Sequence, residues 1–336
     1  MDLMDEKIQS LLNGEIKDDE EKEFLHIDYS LQQQNFELTS RGIDPKVSSE
    51  FRPKVGLNIT LVVTAVILDD SLDVLMMQEA KTSCAKSWYL PAARVEPLER
   101  LDEAVKRGVL LETGLVIEPT TILKVESSHG NWFRFVYTGD VISGTLKTIS
   151  RADQESLQAC YMRDVTKINL RSKDCLKLIE LGREYYRAKH LWHPKQSILI
   201  RSVPNLMLRL FIVVRDSQSY QILISNSLYP HLPLCEMNPT RSIYSSLKRF
   251  MQYIFDDEPL PQHKPIGLIT IEHDCAIQPD QYDGICLTLL VICKDFHQCL
   301  DRCRSGFTWI KLNQTLSELV RMKLSTKHQT ILHTAI

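Results

Sequence analysis

Apolar runs and polar punctuation alternate along the chain, and the spacing of the apolar positions shifts between helical and strand periods. Residues 1–52 carry few such runs. Ile8, Leu11 and Leu12 share one face of a short helix, Asp18 to Glu23 is nearly all charged, and the segment reads as a weakly structured leader before Pro53. From Asn58 the pattern tightens. Ile59 to Leu68 is β-branched and apolar, Asp69-Asp70 forms a turn signal, and a second apolar run spans Asp73 to Gln78, which together predict a hairpin. A loop over Lys81 to Lys86 leads into Trp88-Tyr89-Leu90-Pro91. Leu101 to Leu111 has helical periodicity, with Gly114 where a helix would stop. Asn131 to Thr138 predicts an aromatic-rich strand, Ser143-Gly144 a turn, and Asp174 to His190 an amphipathic helix with Leu176, Ile179, Leu181 and Tyr185 turned inward.

The second half restarts the same order. Leu206 to Val214 and Tyr220 to Ile224 predict strands around the turn Asp216-Ser217-Gln218, and Leu232-Pro233 precedes a helix over Ser242 to Ile254. Ile266 to Ile271 and Ile285 to Cys293 predict strands, and Phe307-Thr308-Trp309-Ile310 precedes a last helical stretch. The repetition predicts an internal duplication of fold. The expected organisation is therefore a leader at 1–52, an α/β domain at 53–170, a linker helix at 171–200, a second module at 201–320 and a tail at 321–336.

Composition adds limits. A chain of 336 residues is long for one core, which agrees with two domains. A net charge of -3 gives no global attraction to a nucleic-acid polymer or an anionic membrane, while a free nucleotide in a local pocket stays compatible. The N-terminus lacks the basic start and apolar core of a secretory signal, and no run of about 18 apolar residues predicts a membrane span. Nine scattered cysteines then read as reduced thiols of a cytoplasmic protein. Cys293, His297, Cys299 and Cys303 cluster, but their spacing matches no standard zinc knuckle.

The stretch from Leu90 to Leu115 carries the chemistry. It resembles the Nudix hydrolase family, whose box reads Gly, five residues, Glu, seven residues, then Arg-Glu-U-x-Glu-Glu-x-Gly-U with U a large aliphatic. Glu99, Arg107, Val109, Glu112, Gly114 and Leu115 fall on their expected positions, whereas Ala93, Gly108 and Leu111 replace the first glycine and two of the glutamates. Further stretches, among them Trp132-Phe133-Arg134-Phe135-Val136, Gly144 to Thr148, Asp153 to Ala159 and Asp283 to Leu287, resemble an animal subgroup that acts on 8-oxo-guanine nucleoside diphosphates. The resemblance implies a mixed, curved sheet sandwiched by helices. It also implies Mg2+ or Mn2+ as cofactor, and cleavage of an oxidised purine nucleoside diphosphate to monophosphate and phosphate.

Residues at i, i+3 and i+4 share a helix face, so glutamates at 108, 111 and 112 would form a dense anionic patch for a hard cation. Here only Glu112 remains on it, and Asp102 and Glu103 lie more than about 100° around the helix from residue 108. The resemblance makes Glu112 the catalytic and metal-binding carboxylate, with Glu155 as the replacement ligand. It makes Ala93, Glu99, Arg107 and Gly114 the scaffold of the box, Glu99 and Arg107 bracing it by a salt bridge. Arg94 and Lys147 are candidates for phosphate, since cationic side chains suit its oxygens, and Tyr161 for stacking on a base, while Trp132 reads as core and Trp88 as a loop anchor. Two readings stand at this point: a weak Nudix hydrolase, or a pseudo-enzyme that binds a nucleotide or partner protein. The helix Ser242–Ile254 has no Asp or Glu, so the second module would serve packing, a homodimer contact or the shaping of the first pocket.

Overall fold

A computed structural model describes residues 3–15, 23–192, 195, 198–217, 219–256, 259–276, 278, 281–294, 299, 302–325 and 331–334. The chain forms two compact units: residues 60–126 with 132–197, and residues 1–59, 127–131 and 198–336.

The 60–197 unit is built on β1 (Thr60–Ala65), β2 (Val74–Glu79), β3 (Trp88–Tyr89), β4 (Ala92–Arg94), β5 (Leu115–Ser128), β6 (Trp132–Gly144) and β7 (Ser156–Met162). Two sheets form where a single one was expected. One runs β5–β6–β1–β4, with β1 parallel to β6 and antiparallel to β4; the other runs β3–β2–β7. The expected hairpin survives only at its tip, where Leu68 bridges Val74 and Asp69 Oδ1 accepts the amides of Ser71 and Asp73 at 2.9 Å each. Beyond the tip β1 and β2 diverge to different partners, which is why the sheet splits.

Two helices complete this unit, over 101–113 and 174–187. The first, Leu101–Thr113, buries Leu101, Ala104, Val105 and Val109 and ends at Gly114, whose φ of 77° suits a residue without a Cβ. The second, Asp174–Arg187, is no linker. Its Cys175, Leu178 and Ile179 join Val66, Val74, Met76 and Tyr89 in one hydrophobic cluster. Of the inward positions expected there, Ile179 and Tyr185 are buried, while Leu176 and Leu181 are half-buried and Leu178 takes the core instead.

The other unit contains the leader. Helices α1 (Leu3–Asn13) and α2 (Leu31–Ser40) are well formed, which corrects the expectation of a weakly structured segment. Ile8, Leu11 and Leu12 do share a buried face, packed with Phe211, Val213 and Val320. In chain order the two helices already cited become α3 (Leu101–Thr113) and α4 (Asp174–Arg187), followed by α5 (Ile243–Ile254) and α6 (Gln314–Ser325). Thus the helix α6 occupies the start of the expected tail.

A short strand, β14 (Ile331–Thr334), follows α6, and the other strands of this unit are β8 (Val203–Asp216), β9 (Ser219–Ser225), β10 (Leu234–Glu236), β11 (His263–His273), β12 (Asp283–Cys293) and β13 (Phe307–Lys311). They form a sheet in the order β11–β12–β8–β9–β13, with β10 also paired to β8. β8 is parallel to β12 and antiparallel to β9 and β10. Glu23 folds in with them. Arg209, fully buried, takes both carboxylate oxygens of Glu23 at 2.9 and 3.0 Å, donates to Thr288 at 2.9 Å, and pairs with Glu272, which also holds Arg201 at 2.9 Å. Such charges are tolerated inside because each meets a partner. No helix among the described residues is long and apolar enough to cross a membrane.

Candidate functional site

The segment around β4 is held from two sides. Antiparallel pairing places Arg94 opposite Val62 and Ala92 opposite Thr64 on β1, while β6 sets Arg134 beside the same Val62. Lateral neighbours in a sheet share a face, so Arg94 and Arg134 project to one side. Helix α3 faces this surface with Gly108, Leu111 and Glu112, one above the other as their spacing requires. Between them lies a cleft of about 800 Å³, reached also by Lys81, Trp132, Glu155 and Asp174.

The box scaffold is present as geometry. Arg107 donates through Nε and Nη2 to the two oxygens of Glu99 at 2.5 and 2.8 Å, and its Nη2 reaches the Arg94 carbonyl at 2.9 Å. The Glu96 amide donates to Glu99 as well, at 2.9 Å. This fork ties the 94–99 loop to α3. At Gly114 an added Cβ would lie 2.3 Å from the Thr145 carbonyl oxygen, so glycine is demanded twice, by φ and by space.

Ala93 causes no such strain. It sits in β4 and is absent from the residues with positive φ, so the family's glycine is not required here for backbone reasons. Its methyl has a different consequence. A Cβ built on Gly108 would lie 2.7 Å from the Cβ of Ala93, well inside the roughly 3.5–4.0 Å of a good carbon contact. Alanine at 93 and glycine at 108 are therefore complementary: there is room for one Cβ between them. Restoring glutamate at 108 and 111 alone would force this contact.

Glu112 is nearly fully buried and accepts the Ala92 amide at 2.8 Å. Burial first, then the nearby charges of Glu79 and Glu155, push its carboxyl up to about 8 despite that hydrogen bond and Lys81. Glu155 lines the same cleft, but among the described residues no group of three His, Cys, Asp or Glu side chains is placed to hold a metal ion. The donor set does not fit a tightly held Mg2+ or Mn2+. Two glutamates, Glu112 and Glu155, fall short of the number of oxygens such a cation needs. His297 of the cysteine cluster lies outside the described residues.

Other candidates separate. Arg94 is exposed at the cleft, and neither it nor Lys81 has a carboxylate within salt-bridge distance among the described residues. Lys147 is not available to phosphate. Its ammonium is buried, bonded to both oxygens of Asp153 at 2.8 and 2.9 Å and to the Leu111 carbonyl, where it meets the negative end of α3. Asp153 is correspondingly held below the usual carboxylate range, chiefly by the hydrogen bond from Lys147. Tyr161 lies on β7 outside the cleft lining, and Trp132, expected in the core, lines it with Arg134 5.9 Å from its ring centre.

The sequence reading missed Arg134 as a site residue. It donates to Glu126 at 2.5 Å, to Tyr89 Oη at 2.8 Å and to Asp174 at 2.7 Å, and Tyr89 donates to Asp174 at 2.9 Å. Burial opposes the charge on Asp174, but bonds from Ser172 and Arg134 outweigh it and lower its carboxyl. The alternation Trp132-Phe133-Arg134-Phe135 was the available signal, since it puts Trp132 and Arg134 on one face and two phenylalanines on the other.

The fold is a mixed α/β one with a cleft between β4, β6 and α3, and comparison with known proteins gives it a family. The NUDIX domain profile matches residues 59–178. The chain belongs to the Nudix family: it is 36% identical over 256 residues to the 8-oxo-dGDP phosphatase NUDT18 of Mus musculus, covering 74% of this chain and 77% of that one. It is 37% identical over 246 residues to the same-named protein of Homo sapiens, covering 70% and 72%. Among solved structures, a NUDIX hydrolase from Nitrosomonas europaea is 23% identical with a TM-score of 0.33, covering 38% of this chain and 89% of that chain.

Proposed function

We propose that this protein recognises oxidised guanine nucleoside diphosphates in the β4–β6–α3 cleft and releases phosphate from them slowly. One observation carries this: the cleft keeps unpaired cations and an aromatic face while losing two of three helix carboxylates. Arg94 and Lys81 suit a diphosphate, and Trp132 a purine. Glu112 alone remains of the acidic face, and Gly108 is locked against Ala93. The names of the relatives support the choice of an 8-oxo-guanine nucleotide. Binding without turnover is the second reading, favoured by the Ala93–Gly108 packing.

We propose further that the second unit is a degenerate copy of the first. In support, β8 pairs in parallel with β12 and antiparallel with β10, as β1 does with β6 and β4. β9 pairs with β13 as β2 does with β7, and the interval from β10 to α5 equals that from β4 to α3.

The test is phosphate release from 8-oxo-dGDP by purified protein, with Mg2+ or Mn2+ and with chelator, beside calorimetric binding. Metal-dependent release abolished by Glu112→Gln supports slow hydrolysis. Binding with release no higher than the chelator control supports the second reading, and absence of both refutes the assignment of the cleft.

A further inference from the structure

The equal interval sets α5 against α3 residue by residue. Arg249 stands where Arg107 does, and Phe250, Tyr253 and Ile254 stand where Gly108, Leu111 and Glu112 do. The face that would be acidic is thus apolar, and the leader covers it. Tyr29 bridges to Cys235 of β10, stacks on Tyr253 with ring centres 4.6 Å apart, and lies over Phe250 at 6.2 Å. The Leu31 amide donates to Glu236 at 2.5 Å, fixing the start of α2.

This cover leaves a space. A cavity of about 280 Å³ remains between α2 and α5, walled by Tyr29, Tyr253, Arg41, Arg249 and Arg304. Its two carboxylates are already engaged: Glu37 accepts from Tyr29 Oη at 2.5 Å, and Asp256 holds Arg304 at 2.7 Å, with the Arg304 guanidinium 4.2 Å from the centre of the Tyr253 ring. Among the described residues neither Arg41 nor Arg249 has a carboxylate partner, and Arg249 Nη1 is buried with no hydrogen-bond acceptor. Arg241 adds positive charge nearby; burial first, then Arg249, lowers its own affinity for a proton. A buried guanidinium N–H without an acceptor is costly, and three guanidiniums against two carboxylates leave the cavity with a net positive charge.

We infer that this cavity is a binding site for a phosphate group, held by the forks of Arg249 and Arg41 with Arg304 at its edge. Guanidinium geometry matches tetrahedral phosphate oxygens, and the aromatic walls exclude water from one side. The site is distinct from the cleft on α3 and stands whether or not that cleft hydrolyses nucleotides. Its ligand is inorganic phosphate or the phosphate of a small monoester.

The test titrates inorganic phosphate into the full chain by calorimetry, comparing wild type with Arg249→Gln, Arg41→Gln and Arg94→Gln, the last a control for the first cleft. The expected result is a site whose affinity falls at least about tenfold in Arg249→Gln and severalfold in Arg41→Gln but holds in Arg94→Gln. Arg41 is exposed, so its variant decides the matter should Arg249→Gln melt early. Equal affinity in wild type and both α2–α5 variants, or loss only in Arg94→Gln, would overturn the inference. In the Arg94→Gln protein, displacement of phosphate by a guanine nucleoside monophosphate assigns the site to the ester, and failure to displace assigns it to the free anion.

Discussion

Helices α3 and α5, equivalent under the duplication proposed above, present opposite faces. The α3 face is open: Leu111 is 42% exposed, Gly108 has no side chain, and Glu112 is the last acid. The α5 face is closed, with Phe250 and Ile254 fully buried and Tyr29 stacked on Phe250 and Tyr253. α3 keeps one carboxylate at these positions and α5 none, by different physical routes. One loss is a steric exchange between strand and helix that a second change could reverse. The other has been absorbed into a core, where each replaced residue now contributes to stability. Loss of catalytic residues alone therefore does not say whether a site remains a cavity with binding chemistry.

That contrast can be broken by mutation. Phe250→Ala should cost about 3–5 kcal/mol in denaturant unfolding, the cost of a large core deletion, whereas a cost under about 1 kcal/mol would mean that α5 is as open as α3. Arg209→Met should be comparably damaging, about 3–5 kcal/mol, because Glu23 and Glu272 would be left buried with Arg201 as the one cation between them. If the melting curve hardly moves, the leader is not anchored through that cluster. On the open side Glu99→Gln should remove about 1 kcal/mol, since the fork to Arg107 is partly exposed, and should raise loop mobility at 94–99 in hydrogen exchange.

A smaller effect concerns pH. His231, buried, lies 3.4 Å from Asp28. Burial would lower its affinity for a proton, but the hydrogen bond and charge of Asp28 reverse that, and the net direction is upward. A group raised in the folded state stabilises fully below its unfolded value of about 6.5 and loses that contribution as pH rises through the folded value. Unfolding of the wild type measured from pH 5.5 to 8.5 should therefore show a component that falls with pH and disappears in His231→Gln. Smallest of all, Leu111→Gln should change stability by no more than about 0.5 kcal/mol, as an exposed position allows.

Much of this was readable from the sequence where the cause is local. Alternating and helical periods located β1, β2, β6, the helices α3, α4 and α5 and most strands of the second unit, and Gly114 marked its helix end, whereas α2, β5 and β7 went unread. The box register placed Glu99 and Arg107 in contact. What escaped notice depends on distant partners. The leader is ordered because Glu23 meets Arg209 and Tyr29 meets Tyr253, and nothing near positions 23 or 29 announces either. Lys147 looked free because Asp153 and the end of α3 come to it only in the folded chain. Trp132 and Tyr161 exchanged roles because aromatic strands were judged by type, while the side of the sheet decides. Ala93 and Gly108 look like two independent losses in sequence; only their 2.7 Å approach shows a single exchange.

The central claim is that recognition survives in this cleft while one steric exchange and one leucine restrain its chemistry. Phosphate release from 8-oxo-dGDP with Mg2+, measured for wild type, Gly108→Glu/Leu111→Glu and Ala93→Gly/Gly108→Glu/Leu111→Glu, tests it most directly. The account predicts little gain in the double variant and a gain of at least about a hundredfold in the triple, once three carboxylates share the α3 face and glycine at 93 admits the side chain at 108. A triple variant no faster than wild type, or a double variant already as fast as the triple, would contradict it.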